Sequence, residues 1–341
     1  MKDISEYIEK NFLLPNGYLN MKMFIDCEYT FIVVIGPRGT GKTFGVYSES
    51  VKNGMKMFSI RRKKKQYDLT ANPLTTPIKK PLKHIGVDFR IETVEDGLSV
   101  VYNNANDELL MYITYADNIR DMRGIDSDDL SVMLLDEGVP EHRERKKNGE
   151  GFTLLQAYET LNRNREFELG VHPLKFIMLA NYDDAASDIF VELRIVSELY
   201  RLPPSKCKCF PKRNLLIFNT GETPISMMKS ESALYNLVGK DSDLYKINIK
   251  NMSPTKFNEV LSVPLKKLRL RFTIGELAIY WYVDKGVYYV SRNTYNKESY
   301  NLNDINKLKY TERGFIYDLL LNRVIYESEF LESVLKKYLK I

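Results

Sequence analysis

The sequence predicts an α/β fold on a mainly parallel sheet, followed by a smaller α+β domain. Three observations predict it. The runs FIVVI (31–35), MFSI (57–60), SVMLL (core 132–135) and KFIMLA (175–180) are nearly continuously apolar, as strands covered on both faces are. A helical pattern separates the first two. Beyond residue 260 the pattern changes to a strand meander followed by helices. The 341 residues also exceed the roughly 250–300 at which single cores stop growing, so two domains are expected.

Taken in order, FIVVI ends at Gly36, and TFGVYSESVKNG then reads as a helix closed by Gly54. MFSI is the next buried strand. LSVVYNN and LLMYIT, joined by the turn-prone ANDE, read as a hairpin. At RLPPSKCKCFPKRN (201–214) three prolines and several basic residues interrupt the pattern, which ends the first domain at 1–213. In TPISMMKSESALYNLVG, Thr223 is an N-cap, Pro224 the first helical residue and Gly239 the stop, so residues 214–258 form a linker with a helix. RLRFTIG, ELAIYWYVD and GVYYVSR, with a DKG turn, then open a C-terminal domain over 259–341 that ends in helices.

Composition narrows the function. Hydrophobic residues make up 44% and charged residues 28%, and no apolar run approaches the ~20 residues of a membrane span. MKDISEYIEK carries acids and lacks an apolar h-region, so a cytoplasmic location is expected rather than secretion. Cys27, Cys207 and Cys209 are too few for a disulfide framework, and a CxC without partners at ligand spacing is a poor zinc site. Reduced thiols are expected. The net charge is +5, with basic runs at RRKKK (61–65), RERKK (143–147) and KKLRLR (266–271). Each is by default a solvated face, and together they permit a polyanion partner.

The chemistry lies in two motifs. Gly36, Pro37, Arg38, Gly39, Thr40, Gly41, Lys42 and Thr43 match G-x-x-x-x-G-K-[ST] between a strand and a helix. The glycines let backbone N–H groups curl around phosphates, Lys42 reaches the β- and γ-phosphates, and Thr43 offers its hydroxyl to Mg²⁺. Asp136, after four apolar residues, emerges from a buried strand where a carboxylate can hold the metal shell. Glu137 then suits a base for water, which a hydrolase needs and a phosphate-transferring kinase avoids. A GTPase is disfavoured because NKES (296–299) lacks the Asp of NKxD. ATP and Mg²⁺ are the expected substrate and cofactor.

Further residues leave alternatives open. Asn181, after KFIMLA, is either a turn former or an amide that contacts the γ-phosphate or the attacking water. If TLLQAYETLNRNREF is one helix, Leu154, Ala157, Tyr158 and Leu161 form its buried stripe and Arg163 lies opposite. Arg163 is then a surface charge or a finger for a neighbouring subunit, and Arg165, back near the stripe, is the weaker candidate. Arg120 and Arg123 are candidates for trans or DNA contacts. RRKKK is a solvated face or a phosphate contact. Tyr29 is a candidate base contact.

Together GPRGTGKT, FSIRR, LLDE, LNRNRE, the LAN strand end and the C-terminal stretch from GELAIYWYVDKGVYYV to VIYESEFLESVLKKYL resemble the genome-packaging ATPases of phi29-type small tailed bacteriophages, compact relatives of the large terminases and FtsK/HerA translocases. The resemblance covers most of the chain. It implies an ASCE-type P-loop NTPase domain and a ribonuclease-H-like C-terminal domain that has lost its nuclease. It also implies a homo-oligomeric ring, a pentamer, that drives double-stranded DNA through the portal of a procapsid in the host cytoplasm, in some members with a packaging RNA. By position, Lys42 and Thr43 bind nucleotide and Mg²⁺, Asp136 and Glu137 are the metal and catalytic acids, and Arg163 is the trans finger. RLRFTIG carries no carboxylate, and Asp284 of ELAIYWYVD falls in a turn, so a two-metal nuclease is not expected. The alternatives are a terminase-like motor that retains its nuclease and an ATP-gated capsid or nucleic-acid-binding scaffold with little turnover.

Overall fold

The computed structural model describes residues 4–121, 125, 127–139, 149–168, 172–181, 187–251, 263–295, 298–321 and 323–340. Arg123 and the basic run 143–147 lie outside the described residues, and Arg120 falls in the 3₁₀ turn Asn118–Asp121. The chain forms two compact units, residues 1–184 with 202–254, and residues 185–201 with 255–341.

Among the described residues, nine strands of the first unit form one sheet. They are β1 (Phe31–Ile35), β2 (Lys56–Arg61), β3 (Phe89–Glu95), β4 (Leu98–Asn103), β5 (Leu109–Tyr115), β6 (Leu130–Asp136), β7 (Lys175–Ala180), β8 (Lys206–Phe210) and β9 (Leu215–Asn219). Their order is β3-β4-β5-β2-β6-β7-β1-β9-β8. The centre from β5 to β9 is parallel, with β3 and β4 antiparallel beyond β5 and β8 antiparallel beyond β9. Burial explains the continuous apolar runs: Ile32 to Ile35 and Val132 to Leu135 are at most 1% exposed. One face of this sheet packs Ile32, Val34, Met57, Val132, Leu134, Ile177 and Leu179 into a single cluster with Val46 and Tyr47 of the helix after β1.

The helices that bear on the site are α1 (Ile4–Asn11), α2 (Lys22–Asp26), α3 (Lys42–Lys52), α4 (Lys64–Ala71), α5 (Lys79–His84) and α6 (Glu150–Asn162). Gly54, at φ 66°, closes α3 as its position predicts.

Three expectations change. The end of the first domain at 213 falls inside the sheet, because β9 pairs in parallel with β1 and β8 pairs with β9. The prolines occupy connections, Pro203 and Pro204 before β8 and Pro211 in the 3₁₀ turn before β9, so they punctuate strands without removing them. Residues 185–201, expected in the first domain, group with the C-terminal unit. There the Val196 N–H donates to Glu276 Oε1 at 3.1 Å and Arg194 pairs with Glu298 at 3.0 Å. The single linker helix is two, Pro224–Ser230 and Ala233–Val238, since Ser232 adopts an extended N-cap conformation between them. Thr223 caps the first, accepting from the Ser226 N–H at 3.2 Å.

The second unit carries β10 (Leu268–Ile274), β11 (Leu277–Tyr282), β12 (Val287–Arg292) and β13 (Ile325–Tyr326), in that order. The first three form the expected antiparallel meander, and β13 joins β12 in parallel. Phe272, Tyr288 and Phe315 pack edge to face in its core. Asp284 lies in the β11–β12 turn, paired with Lys267 at 2.6 Å.

Candidate active site

The loop after β1 is shaped by close approach and by backbone conformation. A Cβ on Gly36 would stand 2.2 Å from Thr220 Oγ1, so only glycine fits where the chain leaves the sheet. Gly41, at φ 90°, turns the loop into α3 in a conformation that side chains resist. The Thr40 hydroxyl donates to Pro37 O at 3.0 Å, and Thr40 O accepts from the Leu19 N–H at 3.0 Å, which fastens the N-terminal segment to the loop. Lys42, the first residue of α3, points back across the loop and donates to Gly36 O and Pro37 O, each at 2.7 Å.

The sheet order puts β7 between the strand before this loop and the strand that ends in Asp136. Asn181, one residue beyond β7, therefore stands between the two motifs. In the orientation that satisfies both ends of its amide, it donates to Gly36 O at 3.0 Å and accepts from Arg38 Nε at 2.9 Å. These contacts tie β7 to the loop from the side.

Thr43 and Asp136, far apart in sequence, meet: the Thr43 hydroxyl donates to Asp136 Oδ1 at 3.0 Å. The same oxygen accepts from the Glu137 N–H at 3.0 Å, and Oδ2 accepts from Arg61 Nη1 at 2.6 Å. Arg61 and Asp136 are directly paired residues of β2 and β6, and both side chains are buried. Burial opposes the charge on Arg61, yet the Asp136 carboxylate, with Tyr47 and Glu137, outweighs it and holds the guanidinium above its ordinary value. A hydroxyl and a carboxylate oxygen converging in this way form a hard donor set that suits Mg²⁺, which takes one or two protein oxygens and keeps waters and phosphates for the rest.

Glu137 differs from its neighbour. It is exposed, and its φ of 57° is a left-handed conformation that costs a non-glycine residue about 1–3 kcal/mol. The chain accepts this geometry because Gly138 N bonds to Leu179 O at 3.0 Å, returning it at once to β7. Glu137 Oε2 accepts from Gln66 Nε2 at 2.6 Å, and Gln66 Oε1 accepts from the Lys63 N–H at 3.1 Å, the start of α4.

The basic run after β2 is not a uniform surface. Arg61 and Arg62 are buried, Arg62 against Glu150 at 3.4 Å, and only Lys63, Lys64 and Lys65 are exposed. Sequence reasoning missed Arg61 as the partner of Asp136 and Gln66 as the holder of Glu137. Neither partnership has a local signal, since each joins residues from different elements.

Arg163 is exposed, but for a reason other than helical phase. The helix α6 stops at Asn162, and Arg163 follows with φ 47°. Its guanidinium pairs with Asp128 at 2.9 Å and donates to Ile125 O at 3.1 Å. Both partners precede Leu130, the first residue of β6, whereas Asp136 is the last. Six residues at ~3.3 Å each separate the two ends by ~20 Å. Arg163 thus lies about a strand length from the end of β6 that carries Asp136. Arg165 is buried and donates to the Ser127 and Leu130 carbonyls, a structural role.

Beside the loop lies a cavity of about 730 Å³, a size that suits a ligand of several hundred daltons. Arg38 to Thr43, Asp136, Glu137 and Asn181 line it, together with Tyr18, Phe44 and His84. Tyr18 lies over Gly41, and the Phe44 and His84 rings are 5.4 Å apart. Tyr29 is buried and does not line this cavity, so its expected role as a base contact is not supported.

No family model matches the chain, and no curated protein matches it in sequence. Solved structures do. The Phi-28 gp11 DNA packaging motor is similar over 95% of this chain and 98% of its own, at 18% identity and a TM-score of 0.56. The bacteriophage Phi-29 viral genome packaging motor assembly is similar over 94% and 99%, at 15% identity and a TM-score of 0.56. The shared feature is the fold, across nearly the whole length of each chain.

Proposed function

We propose that this chain is the ATPase of a bacteriophage genome-packaging motor, which drives double-stranded DNA through the portal of a preformed procapsid in the host cell. The observation that carries the reading is the meeting of Thr43 and Asp136 at 3.0 Å beneath the phosphate loop, with Glu137 next in the chain. It sits in a fold whose likeness to two packaging motors spans 94–95% of the sequence. Among the described residues no helix is long and apolar enough to cross a membrane.

In this reading Lys42 exchanges two loop carbonyls for β- and γ-phosphate oxygens, and the loop amides take the rest of the charge. Thr43 and Asp136 would hold Mg²⁺, which would neutralise phosphate charge when bound. Arg61 fixes the Asp136 carboxylate so that Oδ1 faces Thr43. Glu137 orients or deprotonates the attacking water, and Asn181 holds the loop and reaches the γ-phosphate. Arg163, about a strand length from Asp136, serves the γ-phosphate of a neighbouring subunit in a ring, a pentamer, leaving Asp128 to do so. The C-terminal unit is the relic of a ribonuclease-H-like domain; its meander with one strand added in parallel supports this reading. Packaging RNA, where required, would meet its basic segments.

The test is ATP hydrolysis with and without double-stranded DNA for wild type, Arg163→Ala, Glu137→Gln and a mixture of the two variants. DNA stimulation of the wild type, inactive single variants and activity restored by mixing are expected. Normal hydrolysis by Arg163→Ala would remove the finger, and indifference to DNA in every preparation would favour an ATP-gated scaffold. DNA cleavage by the wild type with Mg²⁺ would favour the nuclease-retaining motor.

A further inference from the structure

The cavity beside the phosphate loop extends well past the loop. Its lining includes Phe44, Ser48 and Glu49, and at about 1.5 Å per residue Glu49 stands ~12 Å along α3 from Gly41. A triphosphate chain fills the loop, and the remaining space is open to the group that the chain carries. The sides of α3 differ. At about 100° per residue Thr43, which meets Asp136, lies ~160° around the helix from Gly45. Gly41 and Gly45 form that opposite stripe, and the N-terminal segment covers it: a Cβ on Gly41 would stand 3.0 Å from Tyr18 Cδ1, and one on Gly45 2.5 Å from Met21 Cγ. Phe44 and Ser48 form the stripe between the two.

Two aromatic rings line this space and are nonetheless open to solvent, Tyr18 at 41% and Phe44 at 38% exposure. Each is fixed from behind. Tyr18 belongs to a closed turn, in which Leu13 and Leu19 pair as an antiparallel bridge, the Leu14 N–H donates to Tyr18 O at 2.8 Å and the Tyr18 N–H donates to Asn16 Oδ1 at 3.2 Å. Gly17, at φ 81°, makes that turn, and the Leu19 bond to Thr40 O ties it to the loop. Phe44 stands on α3 with the His84 ring of α5 against it. Rings held in place at the wall of a cavity present apolar faces that a flat aromatic group would cover.

We propose that Tyr18 and Phe44 are base-binding residues, against whose rings the base of a bound nucleoside triphosphate packs on the side of α3 away from Asp136. This deepens the nucleotide reading above and rests on it. In that reading the terminal phosphates lie on the Thr43 side, so the ribose and base leave across the Phe44 stripe toward Tyr18. The turn from Leu13 to Leu19, which neither sequence motif includes, is then part of the site. Ring contact engages the π-face that every base has, so these residues supply binding strength rather than a choice between bases.

The experiment measures binding of MgATPγS and of inorganic tripolyphosphate with Mg²⁺ to wild type, Tyr18→Ala, Tyr18→Phe, Phe44→Ala and Lys42→Ala by calorimetry, since tripolyphosphate carries the phosphates without a base. Tyr18→Ala and Phe44→Ala are each expected to weaken MgATPγS about tenfold, the loss of one base–ring contact, and tripolyphosphate less than about twofold. Tyr18→Phe, which keeps the ring, is expected to bind as wild type does, and Lys42→Ala to lose both ligands. An unchanged MgATPγS affinity in either alanine variant, or equal losses of both ligands, would overturn the assignment while the phosphate site stands. A loss in Tyr18→Phe as large as in Tyr18→Ala would trace the effect to the hydroxyl and overturn the ring contact. A wild type that binds neither ligand would overturn the nucleotide reading and this one with it.

Discussion

The two ends of β6 are built on different principles. At its carboxyl end, Asp136 is 4% exposed and bonded to Thr43, to the Glu137 N–H and to a buried arginine. At its amino end, Asp128 and Arg163 are exposed, and their ion pair at 2.9 Å stands in solvent. A buried, multiply bonded carboxylate is set before any ligand arrives. A solvent-exposed pair contributes at most about 1 kcal/mol and can be exchanged for another partner at little expense. On the proposed reading, the contrast separates what a subunit does for its own nucleotide from what it offers a neighbour.

The largest effects break the two ends in chemistry alone. If Glu137 is the water-activating base proposed above, Glu137→Gln should lower kcat by ~10²–10⁴ while nucleotide binding persists, because the loop Gly36–Thr43 is untouched. Arg163→Ala should lower the turnover of the assembled protein by as much as ~10³–10⁵, the range of a finger contact. Its denaturation midpoint should stay at the wild-type value. Steady-state hydrolysis and equilibrium binding of MgATPγS measure the first, and hydrolysis with denaturant melts the second.

Stability should fall at the carboxyl end instead. Arg61→Ala leaves Asp136 buried without its cation, and removing one partner of a buried pair costs ~3–5 kcal/mol. Urea unfolding should show it. An Arg61→Ala protein as stable as wild type would mean that the pair does not fix the carboxylate.

The same contrast explains what could be read from the sequence. The phosphate loop, the strand before Asp136 and the hairpin over 98–115 are local patterns, and the structure keeps each where its residues put it. Arg61 was hidden because its importance comes from β2 lying beside β6, a neighbour relation that no local pattern encodes. Gln66 reaches Glu137 across a loop in the same way. The strands β8 and β9 were concealed by prolines that turned out to lie between them and before them. The strand β3 was missed because it is half-exposed and charged, an edge strand with a weak apolar signal. Arg163 was placed outside by helical phase, whereas a left-handed residue at the end of α6 does it.

The smallest expected effect sharpens the comparison most. Asp128→Ala removes the cis partner of Arg163 and leaves the Ile125 carbonyl contact. Because the pair is exposed, unfolding free energy should change by less than about 1 kcal/mol. If Arg163 must leave Asp128 to reach a neighbouring phosphate, turnover of the assembled protein should hold or rise, since the competing anion is gone. If the pair instead aims Arg163 at its target, Asp128→Ala should lower turnover as Arg163→Ala does, with stability again unchanged. Hydrolysis by the DNA-stimulated assembly, measured beside the urea midpoint, separates a holding contact from an aiming one.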